Sequence, residues 1–120
     1  MAYGTIKIGE GGEINLLANA ATKYRFRQIF GLDLMNELAE MNEKQTPGHV
    51  CEIIEMLTYT MKMQAQKEAD KGSIDDFFAW LEDINANEIT ERIDEILMIY
   101  QGNQKSLSEI KNPEGPPSAE

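Results

Sequence analysis

TKYRFRQIFGLDL, Thr22–Leu34, is where the chain changes its period. Before it, apolar residues recur at every second position; within it, Phe26, Ile29 and Phe30 recur at helical spacing. Thr22 is placed to cap a helix and Gly31 to stop it. Asp33 then caps a second helical piece through Leu34, Leu38 and Met41, so that Gly31 forms a corner. The same stretch gathers Lys23, Arg25 and Arg27 around Tyr24, on the flanks of a helix whose apolar seam faces inward.

Working toward the N-terminus, residues 3–18 read as a β-hairpin. YGTIKI and EINLLA flank the glycine-rich turn Gly9–Gly12, and Ile6, Ile8, Ile14 and Leu16 share one half-buried face. Two strands are marginal alone, so the hairpin must lean on the helices or on another copy. The Gly9–Gly12 run leads into a strand-like segment and lacks the strand–turn–helix setting of a phosphate cradle.

Toward the C-terminus, the polar run Asn42–His49 is expected as the main internal loop, with Thr46–Pro47 starting the next helix. From there to Lys71 no Gly or Pro intervenes beyond Gly48. Val50, Ile53, Ile54, Leu57 and Met61 form one stripe on a helix closed by Gly72, whose polar end projects into solvent or toward a partner. Ser73 and Asp76 resemble a capping box ahead of a helix burying Ile74, Phe77, Phe78, Leu81 and Ile84, with Trp80 off that side. Asn87 caps a last helix through Ile89, Ile93, Ile96, Leu97 and Tyr100, stopped by Gly102. The expected fold class is α+β and mainly helical: an N-terminal hairpin (3–18), four to five amphipathic helices (22–102), and a flexible polar tail (103–120) rich in Pro, Gly, Ser and charge. Residues 1–102 form one globular domain.

The totals restrict function. A chain of 120 residues, 42% hydrophobic, carries one modest core. Its formal charge of -10, from 21 acidic against 11 basic residues, repels phosphate backbones and anionic lipid, so neither nucleic acid nor membrane is an expected partner. No apolar run reaches the length of about 18 residues that a membrane span needs, and the N-terminus lacks the order of a signal peptide; a cytoplasmic location is expected. The lone Cys51 forms no internal disulfide and reads as a core thiol.

No catalytic constellation emerges. His49 and Cys51 stand two apart on a helix start and point about 200° apart, so they form no dyad. With no CxxC, HExxH or second histidine, neither a metal site nor a cofactor is expected. The acids between Asp75 and Glu95 fall between apolar positions, as on a solvated face. Met35, Met41, Met56, Met61, Met63 and Met98 fill a core or soften a peptide groove. The basic–aromatic edge remains, and in an acidic molecule it suits a protein contact, with Arg and Tyr the usual anchors. The expected partner-binding residues are Lys23, Tyr24, Arg25, Arg27 and Trp80.

The order of the segments IKIG (6–9), YRFRQIFGLDL (24–34), DDFFAWLEDI (75–84) and YQGN (100–103) resembles the tail assembly chaperones of long-tailed bacteriophages of Gram-positive hosts. The resemblance spans about Lys7 to Asn103, strongest over Tyr24–Leu34 and then Phe77, Trp80 and Leu81. It implies a non-enzymatic protein that binds the tape measure protein, keeps it soluble and extended in the host cytoplasm, and leaves as tail tube subunits assemble, so that it is missing from the mature virion. Independently of the resemblance, the basic–aromatic edge is complementary to the acidic face of another copy or of a different chain, so self-association is expected as well. In many such phages ribosomal frameshifting yields a longer form, and the polar segment Gly102–Glu120 suits such a junction. The competing expectations are a structural subunit that stays in the virion, a general acidic helical adaptor, and an acidic mimic of DNA.

Overall fold

The computed structural model describes residues 2–8, 12–44 and 46–102. The Gly9–Gly12 turn, apart from Gly12, and the tail expected at 103–120 lie outside the described residues. Strand β1 (Ala2–Ile8) pairs antiparallel with β2 (Gly12–Ala18) in the register Ala2↔Ala18, Gly4↔Leu16 and Ile6↔Ile14. Five helices follow: α1 (Thr22–Phe30), α2 (Leu34–Lys44), α3 (Pro47–Ala65), α4 (Ile74–Leu81) and α5 (Ile93–Tyr100). The α+β, mainly helical class read from the sequence is thus the observed one. Among the described residues no helix is long and apolar enough to cross a membrane.

Strand alternation sets the core. Ile6, Ile14, Leu16 and Ala18 are buried on one face, while Tyr3, Thr5, Lys7, Glu13 and Asn15 stand exposed on the other. Helix α3 lies across that apolar face, chiefly on β2, and α5 covers both strands. Ile53, Ile54, Leu57 and Met61 of α3 meet Phe26, Leu34, Ile89 and Ile96 there. Gly4 lets α5 pack closely: a Cβ at that position would come within 2.7 Å of the Ile99 side chain, which would have to shift. The free edge is partly closed by Arg92, whose Nε donates to the Lys7 carbonyl at 3.1 Å.

The corner into α1 differs from expectation. Thr22 is the first helical residue rather than the cap, and it is fully buried. Its Oγ1 accepts the Asn19 amide (2.9 Å) and donates to Gln64 Oε1 (2.7 Å), while Gln64 Nε2 donates to Asn19 Oδ1 (3.0 Å). A buried polar group needs such partners, and here Asn19 and Thr22, near neighbours in sequence, are satisfied together with the distant Gln64. At the other end Gly31, at φ 74°, gives its amide to the Arg27 carbonyl, and Asp33 accepts the Asn36 amide as the cap of α2.

Three further expectations are corrected. Most of the loop expected at Asn42–His49 is helical, because α2 continues through Asn42 to Lys44 and α3 opens at Pro47, whose missing donor costs nothing at a first helical position. Helix α3 ends at Ala65 rather than Lys71. Lys67 adopts φ 60°, its amide bonds the Gln64 carbonyl and that of Glu68 the Met63 carbonyl, so a Schellman turn folds the polar segment back instead of letting it project. Gly72 serves close approach, since a Cβ there would sit 2.7 Å from Ile29 Cδ1. Asn87 starts no α-helix directly: a short 3-10 turn, Thr90–Arg92, precedes α5, although Ile89 and Ile96 are buried as expected.

Tyr59 joins α3 to α4. Ser73 Oγ caps α4 by accepting the Asp76 amide at 3.0 Å, but the reciprocal arm is not supplied by Asp76. Instead the fully buried Tyr59 hydroxyl accepts the Ser73 amide (3.2 Å) and donates to Asp76 Oδ2 (2.6 Å). Phe77, Phe30 and Trp80 pack around the same ring, with Phe30 and Phe77 edge to face at 5.0 Å. Burial, and next the bond to Asp76, pushes the Tyr59 phenol up to about 12.

Two measurements check these points. Lys67→Gly removes the Cβ penalty of a left-handed backbone and should raise unfolding stability by about 1 kcal/mol in a urea titration. Tyr59→Phe should lower it by about 1–3 kcal/mol at neutral pH. Because the unfolded phenol ionises near pH 10 while the folded one holds its proton to about 12, wild-type stability falls as pH rises across that window. Part of that slope should vanish in Tyr59→Phe, with burial of Tyr100 supplying a remainder.

Candidate protein-interaction site

Helix α1 is fixed by Phe26 and Ile29, both buried against α3, which turns its remaining faces outward. Tyr24 is 53% exposed. Lys23 Nζ lies 5.4 Å from its ring centroid and Arg27 Cζ 5.5 Å, distances at which the ring's negative face attracts a cation. With Asp33, Leu34 and the exposed Met35 these residues line a cleft of about 230 Å³ between α1 and α2. Lys23, Arg25 and Arg27 make no salt bridge among the described residues, so their charge faces outward unneutralised.

The expected set divides. Lys23, Tyr24 and Arg27 come together on that cleft. Arg25 points elsewhere: its Nη1 donates to Gln28 Oε1 at 3.0 Å, and it lines a separate polar hollow of about 320 Å³ with Leu17, Asn19, Gln64, Lys67 and Asp70. Trp80 belongs to the aromatic cluster, 5.9 Å from the Tyr59 ring, with Lys62 Nζ 5.6 Å from its own.

Helix α4 is turned relative to its expected orientation. Phe77 is buried and Trp80 half-buried, whereas Ile74 and Phe78, expected inside, are 47% and 55% exposed. The Tyr59–Asp76 bond and the Phe77 contacts fix the rotation of this short helix, so the larger indole turns inward. Phe78 thereby becomes surface. With Phe77, Leu81, Met56, Glu52 and Glu55 it lines an apolar groove of about 230 Å³ between α3 and α4, with acidic residues among its walls. Cys51, expected in the core, is only half-buried.

This second surface escaped the sequence reading because Phe78 shares the helical stripe of Phe77 and Leu81; its one signal is that the stripe of α4 is too wide for a single buried face. Burial, and secondarily the charge of Glu52, raises the Glu55 carboxyl above its ordinary range. The groove and the cationic cleft share no lining residue; the cleft carries two cations beside Asp33, whereas the charged groups on the groove are the acids Glu52 and Glu55.

Since the folded state holds the Glu55 proton more tightly than the unfolded chain, its charged form costs stability once pH rises through the folded value. Glu55→Gln should therefore raise the unfolding midpoint at neutral pH, and the gain should disappear on acidification below about pH 4, where the carboxyl is protonated in both states.

No family model matches the chain, and no curated protein or solved structure matches it either.

Proposed function

We propose that this chain is a non-catalytic assembly chaperone of long-tailed phages that holds the tape measure protein soluble in the host cytoplasm and is released before the virion is complete. The observation that carries the reading is the exposed Tyr24 between Lys23 and Arg27, cations without an ion pair among the described residues of an acidic chain. A holding protein needs weak, repeated contacts along a long client rather than one deep pocket. A shallow cationic cleft with Met35 in its wall suits acidic, amphipathic helical segments of such a client. The groove beside Phe78 suits apolar residues flanked by cations, on the client or on a second copy of the chain. The net charge of -10 limits aggregation of the loaded complex. Tail tube subunits would then displace the chaperone as they assemble on the client.

Co-expression with a phage tape measure protein tests this reading. The client should be soluble with the wild-type chain and lose most of that solubility with Lys23→Glu/Arg27→Glu, while Arg25→Glu, on the other hollow, has the smaller effect. A client equally soluble without the chain sinks the chaperone role. Detection of the chain in purified particles at a stoichiometry matching a tail component would make it a structural subunit instead.

A further inference from the structure

His49 stands at the third position of α3, beyond Pro47 and Gly48, and its partners are on the preceding helix rather than its own. Glu37 and Glu40 are three apart on α2, hence on one face of that helix, and this face meets the start of α3. One ligand atom from each of Glu37, Glu40 and His49 lies within 4.8 Å of the other two. His49 Nε2 is closed to solvent and has no hydrogen-bond partner, although Glu37 Oε1 is 3.2 Å away, so the approach is misaligned for a hydrogen bond. A buried imidazole nitrogen without a partner is uncommon and calls for an explanation.

We propose that Glu37, Glu40 and His49 bind one divalent first-row cation of the Zn²⁺ type, which staples α2 to α3. Donors each about 2.0–2.1 Å from a tetrahedral Zn²⁺ stand about 3.3–3.4 Å apart. The 3.2 Å between His49 Nε2 and Glu37 Oε1 is close to that edge, and Glu40 needs only a side-chain adjustment to complete a face. One imidazole and two carboxylates give three protein ligands, leaving a fourth position for water. The nitrogen donor favours Zn²⁺ over Mg²⁺ and Ca²⁺, which take oxygen. Two carboxylates balance the charge of the ion, and Asn36 Nδ2, 3.4 Å from Glu40 Oε2, helps to orient that ligand. The inference is independent of the proposed chaperone role.

The full chain, freed of any histidine tag, is titrated with ZnCl₂ by calorimetry and by nitrogen-15 NMR. His49 is the only histidine, so wild-type protein alone reports whether its Nε2 takes the metal. One ion per chain is expected at micromolar affinity, with a shift of the His49 Nε2 resonance and a higher melting temperature. His49→Gln and Glu40→Gln should each weaken binding at least about tenfold. Glu43→Gln, which removes the same charge from the exposed side of α2, should not. An unshifted Nε2 at saturating Zn²⁺ overturns the proposal, and so does equal weakening by Glu43→Gln and Glu40→Gln, which would mark diffuse attraction to an acidic surface.

Discussion

A sheet of two strands has one apolar face and, among the described residues, no third strand to stabilise it, so the described fold depends on covering that face. Helix α3 does most of this and α5 the rest, with Ile6, Ile14 and Leu16 sealed beneath Ile53, Ile54, Leu57 and Ile96. The arrangement needs the hairpin, the middle of the chain and its last described helix together, which makes the fold cooperative over nearly its whole length. Gly4 and Gly72 mark places where backbone and side chain approach so closely that an added Cβ would displace Ile99 or Ile29.

Polar anchors decide orientation where apolar contact alone would leave it loose. The Asn19–Thr22–Gln64 network sets how α1 leaves the sheet, and the Tyr59–Asp76–Ser73 relay sets how α4 rotates on α3. Each is anchored on a buried residue, Thr22 and Gln64 in the first and Tyr59 in the second, where an unpaired polar group is costly and a satisfied one is specific. Their effect on the surface is indirect but large. By holding α1 on its Phe26 side, the first leaves Lys23, Tyr24 and Arg27 outward; by turning Trp80 inward, the second brings Phe78 to the surface. The described body thus carries two surfaces of unlike chemistry.

Much of this was legible in the sequence because local periodicity is a direct imprint of burial. The alternation of Ile6, Ile8, Ile14 and Leu16 gave the hairpin, and Gly31 with Asp33 gave the corner between α1 and α2. The cationic cleft was also readable, since Lys23, Tyr24 and Arg27 flank a seam that Phe26 and Ile29 define. What failed were stops and rotations. Lys67 takes a left-handed turn that propensity assigns to glycine, and Trp80 and Phe78 exchange their expected places.

The sequence by itself determined the class of the fold, the approximate number and order of its helices, and the position of a cationic edge, because each is written within a few neighbouring residues. Tertiary structure alone decided where α3 ends, which aromatic of α4 is hidden, and that His49 meets Glu37 and Glu40. These depend on pairings between residues distant along the chain, such as Tyr59 with Asp76, whose energies exceed the small local preferences that a linear reading can weigh.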